Sequence, residues 1–533
     1  MAMSNRLRSW GPPLAFIAVV SAVLLAIFPR GFPNYDTIYY LLWGREIADG
    51  LSPDYGAPLA PTPHPLYDLL GAVFSPLGDG SITVAVVLAY LSLGLLAWLV
   101  YRLGADWFDR PVGFLAAFLV MTSAPVLSNG LRAYIDIPYM VLCLAALLIE
   151  TRKPKAGWPV LLLLALAGLL RPEAWLFAGF YFLWLALDFH LAPAAGPDPS
   201  APQPRPGFNL GRLRIQLREV GIDRNLVLMV CLTAAGPVIW VLFDLVTTSN
   251  PLYSFTGTRE TVETLERDTG PLDVIVYGPR RLGEVMQWPG MVGAFFGVIL
   301  TLWAMPKRAA IGVVAAVLAL VAFALMGASG LAIIPRYTML AAAILFIFTA
   351  ATVLGWRLLE PGHRLRRIWQ AAAAATVALW LIWLPNQYDL LKTVDRDLSD
   401  QALVERDLEA LVDSEAFNPP TGLDLPGGAS SGAPATSAGT SVKDCLPISV
   451  PNHRAVPRLA FWLDIRPSDV VSIAATDQQP GTGFFLAPAR RFTVENFILD
   501  PGEPGRAVTR PPAGFSEVAR NRSWVLYTSC LAG

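Results

Sequence analysis

The sequence predicts a polytopic α-helical membrane protein with about eleven membrane-spanning helices and a small α+β domain at its C-terminus. Three observations carry this. Hydrophobic residues make up 54% of the 533-residue chain and charged residues only 15%, against roughly 25% charged in soluble domains. Apolar runs near the length needed to cross a bilayer recur along the first three quarters of the chain. A stretch rich in Gly, Ala, Ser and Pro then separates them from a C-terminal segment of different character.

The apolar runs fall at roughly 12–29, 81–101, 112–128, 136–150, 225–246, 289–305, 309–328, 337–356 and 368–385. The first shows no small-residue cleavage site and reads as a signal anchor. The stretch 158–188 is too long for one helix and carries Arg171-Pro172 in its middle, where Pro removes a backbone donor and breaks the helix. It reads as two short helices meeting at a polar break. The basic residues agree. Arg6 and Arg8, Arg102 and Arg110, Arg152, Lys153 and Lys155, Arg205 to Arg224, Lys307 and Arg308, and Arg357 to Arg367 occupy alternate loops, as cytoplasmic loops do. One helix over 158–188 would flip every later loop. The expected location is the plasma (inner) membrane, with the N-terminus cytoplasmic and the C-terminus extracytoplasmic.

Residues 1–390 form the expected transmembrane domain and 391–442 an amphipathic helix with a flexible linker. Residues 443–533 form an extracytoplasmic domain. Within 394–415, Leu403, Leu408, Leu411 and Val412 share a helix face, and 419–440 has few groups able to build a core. Val470–Ala474, Phe484–Ala487 and Trp524–Tyr527 read as strands between turns. In the outer 30–80 loop, Ile38, Leu41, Leu42 and Arg45 repeat at helical spacing, with Tyr39, Tyr40 and Trp43 suited to a headgroup layer. Cys143 and Cys231 lie in apolar runs and are expected to pack there. Cys445 and Cys530 bracket the outer domain and are natural disulfide partners in an oxidising compartment.

A net charge of −1 offers no polycation for nucleic acid, and the four His show no metal-ligand spacing. No Gly-rich nucleotide loop is present. What stands out is a set of ionisable residues at the ends of apolar segments, where each charge costs about 2.5–3.5 kcal/mol on insertion scales. Asp36 opens the outer loop; it reads as a helix N-cap or as a general base. Arg132-Ala-Tyr134-Ile-Asp136 reads as a local i, i+4 ion pair, or as a phosphate-binding Arg with a carboxylate that orients a sugar or holds a cation. Arg171-Pro-Glu173 sits at the broken helix, either self-neutralised or lining a polar cavity where the Arg fork grips a phosphate. Arg336-Tyr337 opens another span as an interface anchor or a phosphate clamp. His64 closes the first loop and is retained as a substrate-binding candidate. Tyr253 and Arg259 belong to the 247–288 loop, which could close over a site.

Taken together, Asn34-Tyr-Asp36, His64-Pro-Leu-Tyr67, the Arg132/Asp136 turn, Leu169-Leu-Arg-Pro-Glu173, Asn250-Pro-Leu-Tyr253 and Pro335-Arg-Tyr337 resemble the GT-C superfamily of integral membrane glycosyltransferases. The likeness is to bacterial relatives of protein O-mannosyltransferases and lipid A aminoarabinose transferases, over roughly residues 1–390. It implies a polyprenyl-phosphate-linked sugar donor, an extracytoplasmic site, inverting transfer and Asp36 as base. Many relatives carry paired acids in the first loop; here Thr37 follows Asp36, so that either Asp136 supplies the second carboxylate or there is only one, and a divalent cation is an open question. The acceptor, a glycan, lipid or protein, is not identified. The main alternative is a transporter or flippase of a lipid-linked or anionic solute, which would also use intramembrane charges and broken helices.

Overall fold

The computed structural model describes residues 2–191, 213–217, 224–414, 417, 442–473, 481–498 and 510–530. In hydrocarbon a backbone must satisfy its own polar groups, so the apolar runs form helices. Among the described residues, six helices are long and apolar enough to cross a membrane, or seven if one bent pair counts as a single span. They include α4 (Gly80–Trp107), α10 (Arg224–Thr248), α12 (Pro271–Ala304) and α13 (Pro306–Ala328). α14 (Met339–Leu354), flanked by 3-10 turns, and α15 (Arg364–Val412) complete the six. The pair α5 (Arg110–Met121) and α6 (Ala124–Leu131) bends by 66°. Shorter apolar helices are α1 (Ala2–Ile27, apolar from Gly11), α8 (Trp158–Gly168) and α9 (Glu173–Ala186), and α7 (Asp136–Arg152) is a further helix of 17 residues.

Charges sort the bundle into two ends. At one, Arg102 and Arg152 share Asp106, and Arg357 approaches Asp109. At the other lie Asp36, Asp136, Arg171 and Arg336. The break at Arg171-Pro172 belongs to this second end: the Leu66 amide donates to Leu169 O at 3.4 Å. The chain then returns, because Lys155 Nζ before α8 donates to Leu187 O after α9 at 2.9 Å. The stretch 158–188 is therefore two helices that go and come back. At about 1.5 Å per residue each is shorter than the roughly 30 Å of bilayer hydrocarbon. The break accordingly sits below the surface of its end, under α3 (Pro65–Phe74).

α2 (Tyr35–Ala48) fills the expected position of the loop helix but not its expected surroundings. It is buried on nearly all sides: Tyr39, Tyr40 and Trp43 are 0–1% exposed, so they form a core and no headgroup belt. On one side α2 crosses α3 at Gly44 and Gly71, where a Cβ on either would overlap the other helix's backbone. On the other side it meets the end of α15 and the C-terminal domain in a second hydrophobic core. That core joins Ile38 and Trp43 to Leu408 and Leu411 of α15 and to Ile448, Leu459 and Trp524 of the domain.

The expected amphipathic segment is the far end of α15, so the boundary at 390/391 falls inside one continuous helix; Val404 rather than Leu403 joins Leu408, Leu411 and Val412 in the core. The three expected strands of the domain form as β4 (Val470–Ser472), β5 (Phe484–Pro488) and β7 (Trp524–Thr528). Two more, β3 (Ile448–Val450) and β6 (Ser516–Arg520), give the order β4-β3-β5-β7-β6. α16 (Val456–Leu463) covers the sheet and packs on α2. A hairpin of β1 (Leu187–Leu191) and β2 (Leu213–Leu217) follows α9. The linker 419–440 and most of the basic 205–218 loop lie outside the described residues. Cys445 and Cys530 form the disulfide, and Cys143 is buried; Cys231, contrary to expectation, is exposed on α10 rather than packed.

One buried cation fastens the domain to the bundle. Arg458 on α16 donates from Nη2 to Pro33 O at 2.7 Å and to both Glu405 oxygens at 2.8 and 2.7 Å. Removing one partner of a buried pair costs about 3–5 kcal/mol, because the other charge stays buried. Arg458→Ala should lower the unfolding temperature of the purified protein and expose the domain to protease; a protease pattern and melting curve like those of the wild type would show that the clasp contributes little. His453 supplies a pH signature. Burial first, then the charges of Arg454 and Arg267, hold its imidazole down at about 3. The unfolded chain binds that proton near pH 6.5, so stability is full above pH 6.5 and is lost as pH falls from there towards 3. At pH 5 the loss is about 2 kcal/mol. Melting curves between pH 8 and 5 should therefore fall more steeply for the wild type than for His453→Gln, and equal slopes would contradict the assignment.

Candidate active site

Asp36 is placed by its neighbour. Asn34, not Asp36, caps α2: its side-chain oxygen accepts from the amides of Asp36 at 2.7 Å and Thr37 at 3.2 Å. The Asn34 side-chain amide donates to Arg132 O at 2.8 Å, and the Thr37 hydroxyl donates to Ala133 O at 2.8 Å. The start of α2 is thus pinned to the turn before α7. A capping carboxylate would be consumed by backbone amides; relieved of that task, the Asp36 carboxylate points to Arg336, whose Nη1 donates to Oδ2 at 3.3 Å. The two side chains are 23% and 25% exposed, so the pair is open on one side.

Behind this pair lies a closed one. Arg171, 6% exposed, donates from Nε to Glu173 Oε1 at 3.0 Å and from Nη2 to the same oxygen at 2.6 Å; its Nη1 meets Asp136 Oδ1. Tyr337 stands between the two arginines. Its ring carries the Arg171 guanidinium at 4.1 Å and the Arg336 guanidinium at 5.4 Å, contacts that stabilise a cation away from water. Tyr134 stacks under Arg336 at 5.3 Å and Tyr139 under Arg171 at 5.6 Å. The row therefore runs carboxylate, arginine, tyrosine, arginine, two carboxylates.

Among the described residues, several buried polar atoms here have no hydrogen-bond partner: Arg336 Nε, Asp136 Oδ2, Glu173 Oε2 and His64 Nδ1. Unpaired buried groups are costly in a finished fold, and their convergence marks a place for a polar ligand. His64 stands edge-on to Tyr40 at 5.4 Å and Trp240 at 5.3 Å. Burial, then the charges of Arg171 and Arg336, hold its imidazole well below the usual range, in the neutral form.

The structure separates other expected partners. Arg132 and Asp136 do not pair. Ala133 has φ 56°, which breaks the helical geometry an i, i+4 contact needs. Arg132 turns instead to Ser128 and to Gln401 on α15, the latter at 3.1 Å. Tyr253 and Arg259 lie on α11 (Tyr253–Thr264). Tyr253 donates to Tyr55 O at 2.8 Å, and Arg259 lies over Phe255 at 5.9 Å. α11 and residues 55–63 enclose a polar cleft of about 220 Å³. Among the described residues no three His, Cys, Asp or Glu could hold a metal ion, and Asp136 and Glu173 each give an oxygen to Arg171.

Sequence reading missed Tyr40, one turn after Asp36 on the same helix. Burial, then the charges of Asp36 and Asp68, push its hydroxyl well above the usual range, against the opposing charge of Arg336. The i, i+4 spacing from Asp36 was the available signal. It also missed an apolar groove of about 740 Å³ between α7, α8, α9, α13 and α14. Its upper end is lined by Cys143, Phe177, Leu340 and Ile344, one turn below Tyr139 and just past Tyr337.

No protein-family model matches the sequence, and no curated protein sequence matches it. Structural similarity is found. ArnT from Cupriavidus metallidurans in the apo state is similar over 99% of both chains, with a TM-score of 0.50 and 14% identity. The same protein bound to undecaprenyl phosphate is similar over 98% of this chain and 99% of its own, at 0.51 and 13%. At such low identity what is shared is the overall arrangement of the chain. The protein shares the fold of these ArnT structures.

Proposed function

We propose that this protein is a membrane glycosyltransferase that moves a sugar from a polyprenyl-phosphate donor to an acceptor hydroxyl on the extracytoplasmic face, with inversion. One observation carries the reading: an open Asp36–Arg336 pair and an apolar groove lie in one bundle, the groove reaching Cys143, one turn from the Tyr139 that stacks on Arg171, and Leu340, one turn from the Tyr337 that carries both arginines. A lipid phosphate needs both, a cation for its head and hydrocarbon for its tail. The undecaprenyl phosphate bound by the similar ArnT structure supports this choice of donor. In this reading the apolar segments, about eleven in all, are embedded in the plasma membrane, with α8 and α9 entering from the basic end and meeting at their polar break. The basic end is cytoplasmic, and the domain formed by residues 443–533 covers the outer face.

The chemistry follows from the charges. The acceptor oxygen attacks the anomeric carbon while the bond from that carbon to the phosphate oxygen breaks. The electron pair leaves with the lipid phosphate, and attack from the opposite face inverts the centre. Asp36 takes the acceptor proton. Arg336 meets the negative charge growing on the phosphate, using Nε, which has no hydrogen-bond partner among the described residues. As it turns to the phosphate it releases Asp36 to act as base. Arg171 holds Tyr337, and thereby Arg336, in place; Asp136 and Glu173 hold Arg171. Asp136 thus serves as a positioning residue and does not meet the sugar. His64 and Tyr134 line the space for the sugar, and α11 with Tyr253 and Arg259 flanks the acceptor's approach.

Asp36→Asn keeps the size and first-turn position of the side chain but cannot take a proton. In proteoliposomes supplied with polyprenyl-phosphate sugars, release of polyprenyl phosphate should fall by about 10²–10⁴-fold, with the protein folded and still binding undecaprenyl phosphate. Turnover within a few-fold of wild type would remove Asp36 as base. Release of no lipid phosphate by the wild type from any such donor would favour a transporter.

A further inference from the structure

The polar cleft between α11 and residues 55–63 has walls that are fixed in place. Tyr253 on α11 donates to Tyr55 O at 2.8 Å, and the hydroxyls of Thr258 and Thr62 meet across the cleft. α11 is anchored to α10, where the Asp244 carboxylate accepts from the Ser254 amide at 2.9 Å and from its hydroxyl at 2.7 Å. Tyr55 donates its hydroxyl to Asp68 Oδ2 at 2.9 Å and sets its ring edge-on to Trp43 at 4.6 Å. The wall opposite α11 hangs from α2. Tyr35, beside Asp36, donates to Leu59 O at 3.0 Å, and Tyr40, one turn past Asp36, donates to Thr62 O at 3.4 Å. The helix that carries Asp36 thus sets the position of the cleft.

One residue of the lining has no use to the fold. Gly257 lies inside α11 and faces the cleft. Glycine within a helix destabilises it relative to alanine. The backbone of Gly257 is not left-handed, and a Cβ placed on it would meet no atom within 4 Å. Among the described residues, then, neither conformation nor packing calls for glycine there. A ligand that comes close against the helix backbone does.

The chemistry of the lining selects the ligand. α11 contributes the hydroxyls of Thr258, Thr261 and Thr264 and the exposed carboxylate of Glu260; among the described residues no lining side chain is cationic. A carboxylate without a cation disfavours an anionic ligand. Pro58 and Pro61 on the other wall have no N–H, so the backbone there offers mainly acceptors. Hydroxyls that both donate and accept, acceptors in excess, and the flat faces of prolines and tyrosines match a molecule dense in O–H donors with apolar ring faces. We propose that this cleft is the acceptor subsite and that the acceptor is a neutral carbohydrate, held at least one sugar unit away from the hydroxyl that meets Asp36. The proposal rests on the glycosyltransferase reading and names the class of its second substrate.

The test applies fluorescently labelled full-length protein in detergent to an array of neutral, phosphorylated and uronic-acid-containing oligosaccharides, with a peptide array alongside. Retained compounds are then titrated against the wild type, Gly257→Leu and Glu260→Gln, and melting temperature reports on folding. The expected result is retention of neutral oligosaccharides. Their binding should weaken about tenfold or more in Gly257→Leu, whose side chain occupies the cleft, and about fivefold in Glu260→Gln, which exchanges a charge-assisted hydrogen bond for a neutral one. The melting temperature of Gly257→Leu should be no lower than that of the wild type, since Leu is the better helix former. Should Gly257→Leu unfold, Glu260→Gln decides. Retention of no neutral oligosaccharide, of anionic glycans or peptides alone, or of neutral oligosaccharides with wild-type affinity in the folded variants overturns the proposal. The underlying reading is checked separately, on wild-type protein incubated with polyprenyl-phosphate sugars. Release of polyprenyl phosphate leaves that reading standing whatever the arrays show, and no release from any donor overturns it.

Discussion

Two guanidinium groups share one tyrosine ring, and the site is organised by the need to keep both charged away from water. Like charges at such separation repel strongly in a medium of low dielectric. Each must find its own counter-charge, and the fold supplies them unequally. Arg171 has two carboxylates and is closed off. Arg336 has a single carboxylate at the longer distance of 3.3 Å, partial exposure and a donor with no partner. A saturated arginine is a fixed post; an unsaturated one can exchange partners. The inner cluster therefore reads as support, and the outer pair as the part that meets substrate.

The outer pair joins residues 300 positions apart, so something must hold both ends. Arg336 is held through Tyr337 and the start of α14. Asp36 is held by α2, and α2 is held from both sides. Below it the Gly44–Gly71 crossing brings α3 to backbone contact; above it lie α16 and the end of α15. The apolar face that would have made α2 an interfacial helix is the face the C-terminal domain covers. Periodicity gave the helix correctly and its environment wrongly, because a run with Tyr39, Tyr40 and Trp43 suits a lipid headgroup layer and a protein core equally well.

The same limit separates what was legible in the sequence from what was not. Helix existence and the polar break at Arg171-Pro172 depend on local composition and on Pro chemistry, and both were readable. So were the disulfide partners, since Cys445 and Cys530 bracket one polar domain. The Asp36–Arg336 and Arg171–Asp136 pairs depend on which segments lie side by side, and no spacing encodes that. The local rule failed at Arg132 and Asp136 for a specific reason: Ala133 takes a left-handed conformation, which residue type alone does not announce. Arg458 lay more than 400 positions from α2, in a segment with no likeness to any motif.

The bundle and the C-terminal domain are consequently one unit where it matters. A domain appended only for solubility would bury its own core and leave α2 to the membrane surface. Here the second hydrophobic core contains residues of α2, of α15 and of the β-sheet together, so neither half is complete alone. α15 makes the connection physical. It starts at the basic end, runs the length of the bundle and delivers Gln401 to Arg132 and Glu405 to Arg458. Displacing the domain would strip Arg458 from Pro33 and expose the buried aromatics of α2, and Asp36 sits on the first turn of that helix. The position of the proposed base is therefore a property of the docked domain as much as of the membrane bundle.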